Sequence, residues 1–147
     1  MKPKIIRYGY LFIFFLLALT GFGQMPIFKR YYIADLPGLG WLAKFYVTHY
    51  IHYLGAAVLF ALTAYIIIDY LITKQDAIRC ISLSGYVRVA ILAVILISGV
   101  LLVIRNLPGY RFHPGFISFL DLSHLGMVML YLVVSLYCLI YKKNWTT

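Results

Sequence analysis

The chain contains no glutamate, and its only acids are Asp35, Asp69, Asp76 and Asp121. Charged residues make up 12% of its 147 positions against 64% hydrophobic, which is too apolar for a soluble domain of this size. It has no phosphate-binding loop, no G-x-G-x-x-G and no serine-nucleophile motif, so nucleotide chemistry and acyl transfer have no local signature. Cysteines are scarce. Cys80 and Cys138 give neither a zinc spacing nor a C-x-x-C-H haem attachment. Both are expected on a reducing cytoplasmic side, where a structural disulfide does not persist.

What is present is apolar length. Uncharged runs cover residues 8–28, 45–68, 89–104 and 122–141. About 20 residues of helix cross the hydrocarbon core. Three runs reach that length. The third is extended by the uncharged residues before Arg88 and by snorkelling of Arg88 and Arg105. The runs do not alternate as barrel strands do, and lipid admits only helices or closed barrels. The sequence therefore predicts an all-α protein, one membrane domain over 1–147, built as a four-helix transmembrane bundle. Its helices are expected at about 8–28, 45–72, 84–105 and 117–141. The first run has the basic start of a secretory signal, but no A-x-A site follows it. It reads as a retained helix.

Basic residues set the expected orientation. Lys2, Lys4, Arg7, Lys74, Arg79, Arg88, Lys142 and Lys143 fall on one side; Lys29, Arg30, Lys44, Arg105 and Arg111 fall on the other. The positive-inside rule predicts both termini in the cytoplasm. The net charge of +9 is spread between apolar runs, which points to anionic lipid headgroups rather than nucleic acid. No pair of interrupted helices argues for a transporter. The outer loops are short, so chemistry beyond electron transfer belongs to partner chains.

"YVTHYIHYLGAAVLF", residues 46–60, places His49 and His52 at the head of an uncharged run. On a helix they point about 60° apart and differ by about 4.5 Å in depth. His124, in "DLSHLGMVMLY", opens the fourth run at a similar expected depth. Imidazoles in a membrane usually face the bundle interior. Taken singly, each fits an interfacial hydrogen-bonding role, and small residues fit helix packing. Taken together, His52 and His124 at matched depth on parallel helices suit axial ligation of a haem from its two faces. Gly55, Ala56 and Ala57 beside one histidine, and Gly126 beside the other, would leave room for a flat macrocycle. Without C-x-x-C-H the haem would be held noncovalently, as b-type.

"ALTGFGQMP", "HYLGAAVLF" and "SHLGMVMLYLVVSLYCLIY" resemble the membrane cytochrome b subunits of formate dehydrogenases and nickel–iron hydrogenases. The resemblance implies a quinone-linked anchor, exchanging electrons between menaquinone or ubiquinone and an iron–sulfur or multihaem partner in a prokaryotic inner membrane. That family usually carries two haems. Tyr10 and Cys138 stand where ligands of the inner haem would be, so the resemblance implies one outer haem here. It also favours His52 over His49 as ligand, since His52 precedes Gly55 by three positions. His49 is left as an alternative ligand, a propionate partner or a contributor to quinone proton transfer. Lys44 and Arg111, with the other outer basic residues, could neutralise propionates or simply anchor at the interface. His113 is read as a loop residue, Asp121 as an N-terminal cap or first-turn acid, and Asp69 as a partner for inner-loop cations. A haem-free anchor or assembly subunit is the other function the sequence allows.

Overall fold

The computed structural model describes residues 3–25, 35–73 and 82–143. Four long helices carry the chain: α1 (Pro3–Gly23), α2 (Phe45–Thr73), α3 (Leu83–Arg105) and α4 (Pro114–Ile140). All four are long and apolar enough to cross a membrane. No strand occurs among the described residues. The protein is an all-α, multi-pass membrane protein.

The apolar runs locate the helices, and local chemistry sets their ends. α1 begins at Pro3, five residues before the uncharged run, because Lys4 and Arg7 occupy its first turns without breaking it. It ends at Gly23, where Gln24 N–H donates to the Gly21 carbonyl and Met25 N–H to the Phe22 carbonyl in tight turns. The expected end at residue 28 is therefore too late. α3 begins at Leu83, with the Ser82 hydroxyl accepting the Gly85 N–H as an N-cap. The residues before Arg88 do continue this helix. α4 starts at Pro114, three residues earlier than expected. Proline suits a first helical position, and His113 is the N-cap, its Nδ1 accepting the Gly115 N–H at 3.2 Å. His113 is thus a cap rather than a plain loop residue.

The contacts gather into two compact units, Met1–Asp69 and Tyr70–Thr147. In the first, the end of α1 meets a 3₁₀ turn (Gly40–Ala43) and the start of α2. A Cβ on Gly23 would lie 3.3 Å from Leu42 and 3.6 Å from Thr48, so this glycine permits the close approach. Thr48 is fully buried and donates to the Phe45 carbonyl at 2.9 Å. A Cβ on Gly55 would lie 3.2 Å from Leu17 of α1, so Gly55 sits at the α1–α2 packing seam.

In the second unit α3 packs along α4, with Ile91, Leu92, Ile95, Leu120, Tyr131 and Cys138 buried. Arg88 reaches back toward the start of α3. It is 6% exposed, and its guanidinium donates to the Ser84 carbonyl at 3.0 Å and the Lys143 carbonyl at 3.2 Å. A buried charge is tolerable when backbone carbonyls receive it, and here it ties the chain after α4 to the start of α3. Asp121 lies inside α4 rather than at its cap. It accepts two bonds from Arg105 Nη1, at 2.9 and 3.0 Å. The partners expected for Asp69 lie in the loop 74–81. That loop, Cys80 included, is outside the described residues, as are Lys29 and Arg30.

Candidate functional site

His52 sits in the second turn of α2 and turns toward α1. Its Nδ1 is 3.0 Å from Thr20 Oγ1. Thr20 is fully buried. It donates to the Leu16 carbonyl at 2.8 Å, with the Leu17 carbonyl at 3.2 Å. A hydroxyl has one proton and two lone pairs. When that proton stays on its own helix, Thr20 accepts from the imidazole; on that tautomer Nδ1 carries the hydrogen and Nε2 the lone pair of the neutral ring.

His124 repeats this arrangement in the other unit. Its Nδ1 is 2.8 Å from Ser98 Oγ, and Ser98 donates to the Val94 carbonyl at 2.7 Å and the Ile95 carbonyl at 3.0 Å. On the same tautomer His124 carries its hydrogen on Nδ1 and its lone pair on Nε2. The next residue on each hydroxyl-bearing helix is a glycine. A Cβ on Gly21 would lie 3.3 Å from His52 Cε1, and one on Gly99 would lie 3.4 Å from His124 Cε1. Each histidine therefore rests on a hydroxyl–glycine pair, Thr20–Gly21 or Ser98–Gly99, and the missing side chain gives each ring its place. A hydroxyl fixing Nδ1 is the outer contact that ligating histidines use to set tautomer and ring direction.

His49 has different surroundings. It donates from Nδ1 to Gln24 Oε1 at 3.2 Å. Its ring stacks on Phe45, with centroids 5.1 Å apart, and tilts against Tyr53 at 4.3 Å. His49 and His52 both turn toward the end of α1, His52 to Thr20 on the helix and His49 to Gln24 in the turn that follows it. Lys44 and Arg111 stand exposed in the segments leading into α2 and α4, each ahead of a candidate ligand. Gly126 has open space where a Cβ would be, whereas the space beside Gly55 is taken by Leu17. Tyr10 stacks with Phe14 at 6.2 Å, and Cys138 is buried with a free thiol.

Thr20, Ser98, Gly21 and Gly99 were not singled out from sequence as functional residues. A signal was available: "LTG" and "ISG" each end a run of large apolar side chains with a hydroxyl beside a glycine. Searched against protein-family models, curated proteins and solved structures, the chain matches none.

Proposed function

We propose that this chain is a b-type cytochrome subunit of a prokaryotic cytoplasmic membrane, with His52 and His124 as the two axial ligands of one haem. It would pass electrons between a quinone pool, menaquinone or ubiquinone, and a partner redox subunit of iron–sulfur or multihaem type. The observation that carries the proposal is the duplicated histidine setting. Two imidazoles on membrane-spanning helices, one per unit, each have Nδ1 at hydrogen-bond distance from a hydroxyl that also bonds a carbonyl of its own helix, a contact that favours the tautomer with the hydrogen on Nδ1. That tautomer gives Nε2 the lone pair that iron requires.

The donor set fits haem b. Two neutral imidazoles suit bis-histidine iron, and no covalent attachment motif is present. When bound, the haem supplies one-electron transfer at a potential set by its ligands and burial. The chain's own residues do the rest. Thr20 and Ser98 hold the imidazole planes and strengthen Nε2 as a donor. Gly21 and Gly99 let the rings seat against the neighbouring helix. Lys44 and Arg111 carry positive charge near the helix ends, where propionates are best neutralised.

A haem-free anchor is the second reading, favoured by the fact that the same Thr20–His52 and Ser98–His124 bonds also tie two helices together without a cofactor. A reduced-minus-oxidised spectrum of the detergent-purified protein separates the two. Sharp haem b bands are expected, with one haem per chain by pyridine haemochrome. A featureless spectrum contradicts the cytochrome, and two haems per chain contradict the assignment of a single ligand pair.

A further inference from the structure

The chain leaves α4 in a conformation that its residue type disfavours. Tyr141 caps the helix, and Lys142 follows with a φ of 49°, the one positive φ outside glycine among the described residues. Lys142 N–H donates to the Leu139 carbonyl at 3.3 Å, and Lys143 N–H to the Cys138 carbonyl at 2.8 Å. These are the paired bonds of a Schellman end, whose left-handed position usually falls to glycine because a Cβ strains it. The Lys143 carbonyl in turn receives the Arg88 guanidinium at 3.2 Å. Both backbone groups of Lys143 are therefore held, while Lys142 and Lys143 are themselves exposed. Two adjacent ammonium groups project from a fixed base. The acid among residues 82–143 is Asp121, and it is paired with Arg105. It lies about 30 Å from the lysines along α4, beyond the reach of screened attraction. Beneath the lysines α4 exposes Tyr137, Leu139, Ile140 and Tyr141, with the two tyrosine rings 4.5 Å apart.

We propose that Lys142 and Lys143 bind the headgroup of an anionic phospholipid, with phosphatidylglycerol as the simplest example. Charge selects the partner. Two neighbouring cations suit a phosphate whose charge no amine of its own headgroup offsets. Position selects the membrane as its source. The end of a spanning helix lies at headgroup level, where tyrosines collect, and the exposed apolar face beneath gives the acyl chains a surface. An acidic protein segment would share the charge but leave that face uncovered. The left-handed lysine strengthens the reading. Glycine would close α4 with the same bonds and less strain, so the position carries a charge in place of the residue the backbone prefers. The site does not depend on haem.

The test uses the full chain in phosphatidylcholine nanodiscs with a trace of phosphatidylglycerol carrying a photoactivatable diazirine beside its headgroup. Crosslinks are located by mass spectrometry. Labelling is expected on residues 137–143. Unlabelled phosphatidylglycerol in the bilayer should displace it, and zwitterionic phosphatidylethanolamine or inorganic phosphate should not. Lys143→Gln should lower this labelling about fivefold, the worth of one lysine at a lipid surface. Arg7→Gln, which removes an exposed charge from the other unit, should leave it unchanged. Lys142→Gly separates charge from structure. It keeps the left-handed turn with less strain, so it should melt no lower than wild type in detergent while its labelling falls about fivefold. Equal displacement by phosphatidylethanolamine shows ordinary interfacial anchoring and overturns the site; displacement by inorganic phosphate shows a free-anion site and does the same. Undiminished labelling in Lys142→Gly or Lys143→Gln, or an equal fall in Arg7→Gln, also contradicts it. Displacement by a polyglutamate peptide but not by phosphatidylglycerol gives the lysines to an acidic protein segment instead.

Discussion

The α1–α2 hairpin and the α3–α4 hairpin solve one problem alike and another differently. Both present a histidine from the second helix to a hydroxyl on the first, at 3.0 and 2.8 Å, with a glycine following that hydroxyl. The order of residues differs around this shared core. Beyond His52 the first hairpin closes with a neutral amide–imidazole pair, Gln24 and His49. Beyond His124 the second closes with a charged pair, Arg105 and Asp121. The second also has Arg88 clamping its opposite end to the Lys143 carbonyl. The repeated feature is the one that fixes an imidazole, while the features that hold the ends together vary. A hydrogen bond whose only purpose was to join two helices could be replaced by packing. One that sets a tautomer is confined to donors and acceptors of the right kind.

The comparison can be broken most severely at the histidines. His52→Ala and His124→Ala should each lower haem content per purified chain by tenfold or more, and His113→Ala should leave it unchanged, because His113 only caps α4. Full haem in His124→Ala would remove the ligand pair. The next effect falls on the hydroxyls. Thr20→Val and Ser98→Ala should each weaken haem binding by about ten- to a hundredfold, the usual range for the outer partner of a ligating histidine. Thr20→Ser should restore binding, because it keeps the oxygen. A loss from one hairpin but not the other, read by haem titration and reduction potential, would show that the two settings are not equivalent.

Smaller effects sharpen the same contrast. Gly21→Ala and Gly99→Ala place a methyl 3.3 and 3.4 Å from the imidazole carbons. Both should shift the haem absorption maxima with modest loss of binding, and by similar amounts. The smallest effect is expected from the ion pair. Arg105 and Asp121 are 27% and 51% exposed, so Asp121→Asn should cost under about 1 kcal/mol of hairpin stability, visible as a small change in thermal unfolding in detergent. It should leave haem content intact.

Four membrane-spanning helices were legible in the sequence because uncharged length is a nearly sufficient signal in lipid. Helix ends were less so. Counting uncharged residues hides the charged first turns of α1, and reading His113 as a loop residue hides the cap of a helix that starts at Pro114. Asp121 looked like a cap only because α4 was begun too late. His52, His49 and His124 were legible as exceptional residues in apolar runs. Their partners were not, since Thr20 and Ser98 resemble any hydroxyl bonded to its own helix until hairpin register brings a ring to them. Register depends on the turn and loop between the helices, which hydropathy does not encode. Gln24 was hidden for the same reason: its meaning lies in facing His49, 25 residues along the chain.

The sharpest single test compares His52→Ala with His49→Ala by low-temperature EPR of the oxidised protein. The two histidines share a helix and turn to the same neighbour, but only His52 rests on the hydroxyl–glycine pair that His124 also has. His52→Ala is predicted to lose the low-spin bis-histidine signal, and His49→Ala to keep it. Loss of that signal in His49→Ala with its survival in His52→Ala would contradict the claim that the hydroxyl-anchored imidazoles are the ones that bind iron.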